Sequence, residues 1–205
     1  ERLRPNRRHG QHVAHEEAFA HALRRYVSEE LNLPLIGARE QPQLRRYAAA
    51  GSSWFDWRKL PEEWFYSVEC AQFKQQLIAA FHDEFGDTPF LVLKDPRLCR
   101  LLPLWESILD QLNRHRYYVL AYRNPIEVVR SLAHRNGIES YRGYVLWLRH
   151  LLDAEFATRH QSRVFLRYED LLADPRSTVE RLVASSPIPW PRDVAQAFPE
   201  IELAI

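Results

Sequence analysis

Residues 117–138, YYVLAYRNPIEVVRSLAHRNGI, hold the junction that decides the fold. Residues 117–122 are apolar or aromatic and predict a short buried strand. Arg123 closes that run. Asn124 then offers a helix cap, Pro125 suits the first helical position, and Glu127 completes an Asn-x-x-Glu capping box. A helix over 125–136 follows. A strand that turns through a polar junction into a helix is the repeating unit of α/β folds.

The same alternation continues on both sides. Upstream, FLVLKDPR (90–97) predicts a strand over 90–93, and LLPLWESILDQL (101–112) predicts a helix despite Pro103. Downstream, residues 141–160 read as a helix and RVFLRYED (163–170) as a third strand. A last helix begins near Pro175, with Asp174 as its cap. Residues 12–31 carry Val13, Phe19, Leu23, Tyr26, Val27 and Leu31 near helical spacing. Residues 32–60 read as irregular. A helix over 61–85 starts at Pro61, with Glu62 and Glu63 at its positive end and Gly86 as its stop. The expected fold is α/β: one domain over 1–205, with a mainly parallel sheet flanked by helices.

Bulk composition narrows the function classes. The chain has 205 residues, 46% of them hydrophobic, and a net charge of +1. That charge gives no general affinity for nucleic acid or membrane surfaces, so any anion site must be local. No apolar run approaches the roughly 18 residues of a spanning helix. Cys70 and Cys99 form neither a disulfide framework nor a zinc pattern, which fits a reducing, cytoplasmic compartment. His9, His12 and His15 recur every third residue without the further ligands that a metal site needs. No metal is expected.

All three predicted strands end in charge: Lys94 and Asp95, then Arg123 and Asn124, then Arg167, Tyr168, Glu169 and Asp170. Strands commonly end where polarity begins. In open parallel sheets, however, ligands also bind beyond the carboxyl ends of the strands. Arg123 stands beside a helix N-terminus, whose unpaired N–H groups attract anions. Ser131 follows Asn124 by seven residues, which is about 700° of helical rotation, within about 20° of two turns. It therefore sits beneath the cap, roughly 10 Å down the axis. An arginine and a hydroxyl so placed can grip one phosphate from two sides. The plainer alternative is a charged strand end and a small packing residue.

YVLAYRNPIEVVRSL resembles the 3′-phosphate-binding segment of sulfotransferases that use 3′-phosphoadenosine 5′-phosphosulfate (PAPS). In that family an arginine after a strand and a serine eight residues later hold the 3′-phosphate; the matching pair here is Arg123 and Ser131. FLVLKDPR resembles the strand that carries the family's essential lysine, in the form seen in tyrosylprotein and bacterial carbohydrate-type branches. FLRYEDLLADP resembles the later strand and turn, whose tyrosine approaches the adenine, here Tyr168. The three motifs span residues 90–175. The resemblance implies a P-loop-like sulfotransferase fold, PAPS as donor, and a small-molecule, carbohydrate or peptide acceptor.

It also implies roles. Lys94 would stabilise charge on the leaving oxygen, and Arg97 would help to hold phosphate. Glu16 is the candidate base, with Asp95 as its rival; Glu16 on a polar helix face reads otherwise as a solvated charge, and Asp95 as a carboxylate that orients Lys94. Trp54, Phe55, Trp57 and Trp64 read as core packing, or as a platform for a sugar or aromatic acceptor. The family's glycine-containing loop for the 5′-phosphosulfate has no counterpart in residues 1–89. The chain holds no methionine and only 6 glycines, where average usage would give about 14. The fold is therefore expected to be incomplete in these residues, with a strand, a Gly/Ser/Thr loop and a helix lying upstream of Glu1. Two other readings stand beside this one. A P-loop phosphoryl-transfer enzyme would require a Gly-rich loop and an acidic metal ligand at a strand end. A non-catalytic remnant of the fold would bind nucleotide or a partner without turnover.

Overall fold

The computed structural model describes residues 35–36, 50–53, 55–94 and 97–204. Glu16, Asp95, His9, His12, His15, Trp54 and the helix expected over 12–31 lie outside these residues.

The described elements alternate as the pattern predicts. They run β1 (Leu35–Ile36), α1 (Val68–Phe85), β2 (Val92–Leu93), α2 (Leu102–Gln111), β3 (Tyr118–Tyr122), α3 (Pro125–Asn136), α4 (Ser140–Thr158), β4 (Arg163–Arg167), α5 (Tyr168–Ala173), α6 (Pro175–Ser185) and α7 (Val194–Ala204). All strand pairing among them is parallel. It falls into two separate pairs, β1 with β2 and β3 with β4. The register of the second pair runs from Tyr118↔Arg163 to Tyr122↔Arg167. The single sheet expected from the alternation is thus present as two small parallel units. Val119 and Phe165 remain exposed, whereas parallel sheets are normally covered on both faces.

Several local differences have identifiable causes. The helix expected over 61–85 is broken at Ser67. A 3₁₀ turn covers Glu62–Tyr66, and Ser67 is extended. Its Oγ accepts the Cys70 N–H at 3.1 Å and donates to the Trp64 carbonyl at 2.7 Å. One side chain thereby ends the turn and caps α1. Gly86 stops α1 as expected, at φ 48°. The third strand ends at Arg167, three residues early, because Glu169 and Asp170 suit the positive end of a new helix. β1 lies within the stretch read as irregular. No helix was foreseen after Ser185, yet Asp193 caps α7, accepting the Ala195 N–H at 2.8 Å.

The main core joins α1, α2 and the segment before them. Trp64, Cys70, Ile78, Leu101, Leu104, Trp105 and Ile108 are buried together there. Of the described members of the expected aromatic cluster, Trp64 packs into this core, while Phe55 and Trp57 stay exposed. Arg100 is buried against the same segment. Its Nη1 donates to the Asp56 carbonyl at 2.7 Å, its Nη2 to the Arg58 carbonyl, and its Nε faces Asp153 at 3.4 Å.

α3 and α4 form the crossover between β3 and β4. They approach closely at Gly143, where an added Cβ would meet both Val129 methyl groups at 3.2 Å. That contact fixes α4 behind the β3–α3 junction and so behind Arg123. No helix among the described residues is long and apolar enough to cross a membrane.

Candidate functional site

The β3–α3 junction is built much as its residue types dictate. Asn124 caps α3, its Oδ1 accepting the Ile126 N–H at 2.9 Å, and Pro125 takes the first helical position. The reciprocal half of the expected capping box does not form. Glu127 instead accepts from Arg123 Nε at 2.8 Å. The Asn124 N–H goes to Glu169 Oε1 at 2.6 Å. The Arg123 carbonyl accepts Trp147 Nε1–H from α4 at 3.1 Å. The Arg123–Asn124 peptide is therefore held from two sides, by α5 and α4, and the arginine has a defined direction.

Tyr168, the first residue after β4, supplies the other wall. The Arg123 guanidinium lies 4.9 Å from the centre of its ring, within cation–π range. Because β3 and β4 are adjacent and parallel, their carboxyl ends deliver both residues to the same edge. Burial raises the Tyr168 phenol above its usual range; the Arg123 charge opposes this, and Glu127 and Glu169 add to it. Tyr168 is thus a neutral phenol that presents an aromatic face. Burial pushes the Glu169 carboxyl up, but the Asn124 N–H, its own backbone and Arg167 outweigh this and hold it below its usual range.

Ser131 lies on α3 below this junction. Its Oγ is shielded from solvent and has no hydrogen-bond partner among the described residues. An unpaired buried hydroxyl costs about 1–3 kcal/mol. Ser131→Ala is therefore expected to leave thermal stability unchanged or slightly higher. Thermal unfolding followed by circular dichroism checks this, and a clear drop in melting temperature would mean that the hydroxyl has a partner in solution.

The structure brings Arg123 and Tyr168 together and carries Ser131 on the helix that starts between them. It does not join Lys94 and Arg97 to this group by strand pairing. Both belong to the β1–β2 unit: Lys94 follows β2 directly, and Arg97 precedes the 3₁₀ turn at Leu98–Leu101. Three participants escape sequence reasoning. Glu127 reads as a capping residue and Glu169 as a strand-end charge, while Trp147 is one residue of the helix expected over 141–160. For Glu169, the signal is an acidic residue one position beyond Tyr168, just past the end of the neighbouring strand.

Chemically, the arrangement offers a guanidinium, an aromatic face and a helix N-terminus at one sheet edge. That combination suits a phosphate attached to a flat ring. A bound phosphate would compete with Glu127 for Arg123. Comparison of the chain with protein-family models, with curated proteins and with solved structures finds no match.

Proposed function

We propose that the chain binds the 3′-phosphoadenosine end of PAPS and serves sulfuryl transfer to a hydroxyl or amine acceptor. The observation that carries this reading is the contact between Arg123 and Tyr168 at the carboxyl ends of adjacent parallel strands, with a serine hydroxyl on the helix between them that has no partner among the described residues. In this reading the 3′-phosphate takes Arg123 from Glu127 and reaches Ser131 Oγ, and the adenine packs near Tyr168. The acceptor oxygen attacks sulfur in line, and the bond between sulfur and the bridging phosphate oxygen breaks. 3′-Phosphoadenosine 5′-phosphate departs with that electron pair, and the acceptor proton passes to a carboxylate. Glu16 is the candidate for that carboxylate and Asp95 the rival. Lys94 meets the charge growing on the leaving oxygen, and Arg97 assists with phosphate. The loop that holds the 5′-phosphosulfate is assigned to a part of the protein outside the described residues.

Titration calorimetry with 3′-phosphoadenosine 5′-phosphate tests the reading. The wild-type chain is expected to bind it. Arg123→Ala is expected to weaken binding about tenfold or more, since a lost charge-assisted bond costs roughly 1.5–3 kcal/mol. Ser131→Ala should weaken it as well, without loss of stability. An unchanged affinity in Arg123→Ala, or no binding by the wild type at millimolar nucleotide, would overturn the assignment.

A second reading is favoured by one feature. Glu127 already occupies Arg123 Nε, and Ser131 Oγ is sealed from solvent. A fold that keeps these contacts permanently would be a non-catalytic binding protein. Binding of the nucleotide without any turnover of PAPS by the full gene product would select it. Magnesium-dependent ATP turnover would instead select phosphoryl transfer.

A further inference from the structure

The outer face of α4 is unusual for a surface helix. Tyr141, Tyr144, Val145, Leu148, Leu152 and Phe156 are each between 40% and 68% exposed. At 100° per residue all six fall within an arc of about 120°, along about 22 Å of helix. The opposite face, with Gly143, Leu146 and Thr158, is already buried. α4 is therefore apolar on two opposite sides, with Arg142, Arg149 and Asp153 along the flank between them. No described element covers the outer side. Trp57 borders it, with its ring 5.7 Å from the Arg142 guanidinium and its carbonyl held by Arg149 Nε at 2.9 Å.

We propose that this face is a homodimer interface, in which α4 packs antiparallel against α4 of a second copy. Two observations select a second copy. The first is area. Scaled by side-chain size, the six residues expose on the order of 600 Å², and Trp57 brings the patch to about 700 Å². That exceeds the usual patch on a monomer and approaches the ~800 Å² per partner of a standard interface.

The second is self-complementarity, which a two-fold interface requires. A two-fold axis between positions 148 and 149 sets Tyr141 against Phe156 of the second copy and Val145 against Leu152, and brings the two Leu148 side chains together. Aliphatic residues fill the centre and an aromatic ring closes each end. Glu155, which falls within the same arc, is neutralised by Arg159 at 2.6 Å and Arg163 at 3.1 Å of its own chain. Each end ring also carries its own cation: Arg142 lies 5.7 Å from Tyr141, and Arg159 lies 5.6 Å from Phe156. These cations form a polar rim around an apolar centre.

Sedimentation velocity on the full chain tests this between about 1 and 100 μM, a range that brackets micromolar association. The wild type is expected to be a reversible dimer at the upper end. Leu148→Asp is expected to be monomeric throughout, with an unchanged circular dichroism spectrum. Leu148→Cys retains a small apolar side chain and guards against misfolding. Mild oxidation should link it into a covalent dimer, because the two positions meet at the axis. Phe165→Cys, exposed on β4 away from this face, should not cross-link at the same rate. A wild type that stays monomeric at 100 μM overturns the proposal. So does a dimer that Leu148→Asp leaves intact, or a Leu148→Cys variant that cross-links no faster than Phe165→Cys. If a monomeric wild type shows strong hydrogen-exchange protection along α4, the face is covered by the chain's own residues, and the dimer is again overturned.

Discussion

Replacing Arg100 by alanine is expected to destabilise the chain by about 3–5 kcal/mol, the range for breaking a buried charged network from one side. The side chain is fully buried. Its guanidinium satisfies the carbonyls of Asp56 and Arg58 and faces Asp153. Alanine would remove the donor from both carbonyls and leave Asp153 paired, among the described residues, with Arg149 at 3.1 Å. It would also open a cavity beside Leu101, which is wholly buried. Lysine should recover only part of the loss, because one ammonium cannot span carbonyls that a planar fork reaches together. At roughly 2–4 °C per kcal/mol for a domain of this size, the alanine variant should melt roughly 6–20 °C lower. Urea unfolding of wild type, Arg100→Ala and Arg100→Lys measures this. A loss below about 1 kcal/mol would show that the network contributes little, as surface pairs do.

Arg100 also marks where sequence reading stops. Its neighbours, LCRLLPLW, give an arginine in a helical context, which reads as a solvated charge. Its burial is decided by Asp56 and Arg58, 44 and 42 residues earlier in the chain. Periodicity carries no information about such a partner. Local chemistry was far more legible. Asn124, Pro125, Asp174 and Gly86 terminate helices where their side chains or backbone freedom demand it. The capping box fails in its second half because a stronger donor, Arg123, sits four residues from Glu127, and because Glu169 arrives from α5, a helix that only the fold brings near. The same long-range pairing explains the site. Residue spacing placed Ser131 beneath Asn124, since one helix carries both. The contact of Arg123 with Tyr168 depends on β3 pairing with β4 in a register that no local pattern specifies. The exposed stripe of α4 is likewise hidden, because a helix over 141–160 that is apolar on two opposite sides gives no sign of which side the domain covers.

The proposed chemistry makes its sharpest demand on Lys94. In sulfuryl transfer the bridging oxygen gains charge as the bond to sulfur stretches, so a cation there stabilises the transition state more than the bound donor. Lys94→Ala is then expected to lower PAPS turnover by about 10²–10³-fold, the cost of removing one donor from a developing oxyanion. Affinity for 3′-phosphoadenosine 5′-phosphate should change little, and Arg123→Ala should show the reverse balance, with its main loss in binding. The split between the two variants is the informative quantity, since a general loss of folding would lower both readouts in both variants. Release of labelled sulfate from PAPS, together with nucleotide titration, supplies both numbers without a known acceptor. The measurement is made on the complete gene product, because the reading assigns the 5′-phosphosulfate loop to residues beyond those described. Lys94 follows β2, whereas Arg123 follows β3, and no described hydrogen-bond ladder joins the two units. Catalysis therefore requires the β1–β2 and β3–β4 units to stand side by side with their carboxyl ends level. Full turnover by Lys94→Ala would make the lysine a strand-end charge and would leave the Arg123 site as a nucleotide-binding site alone.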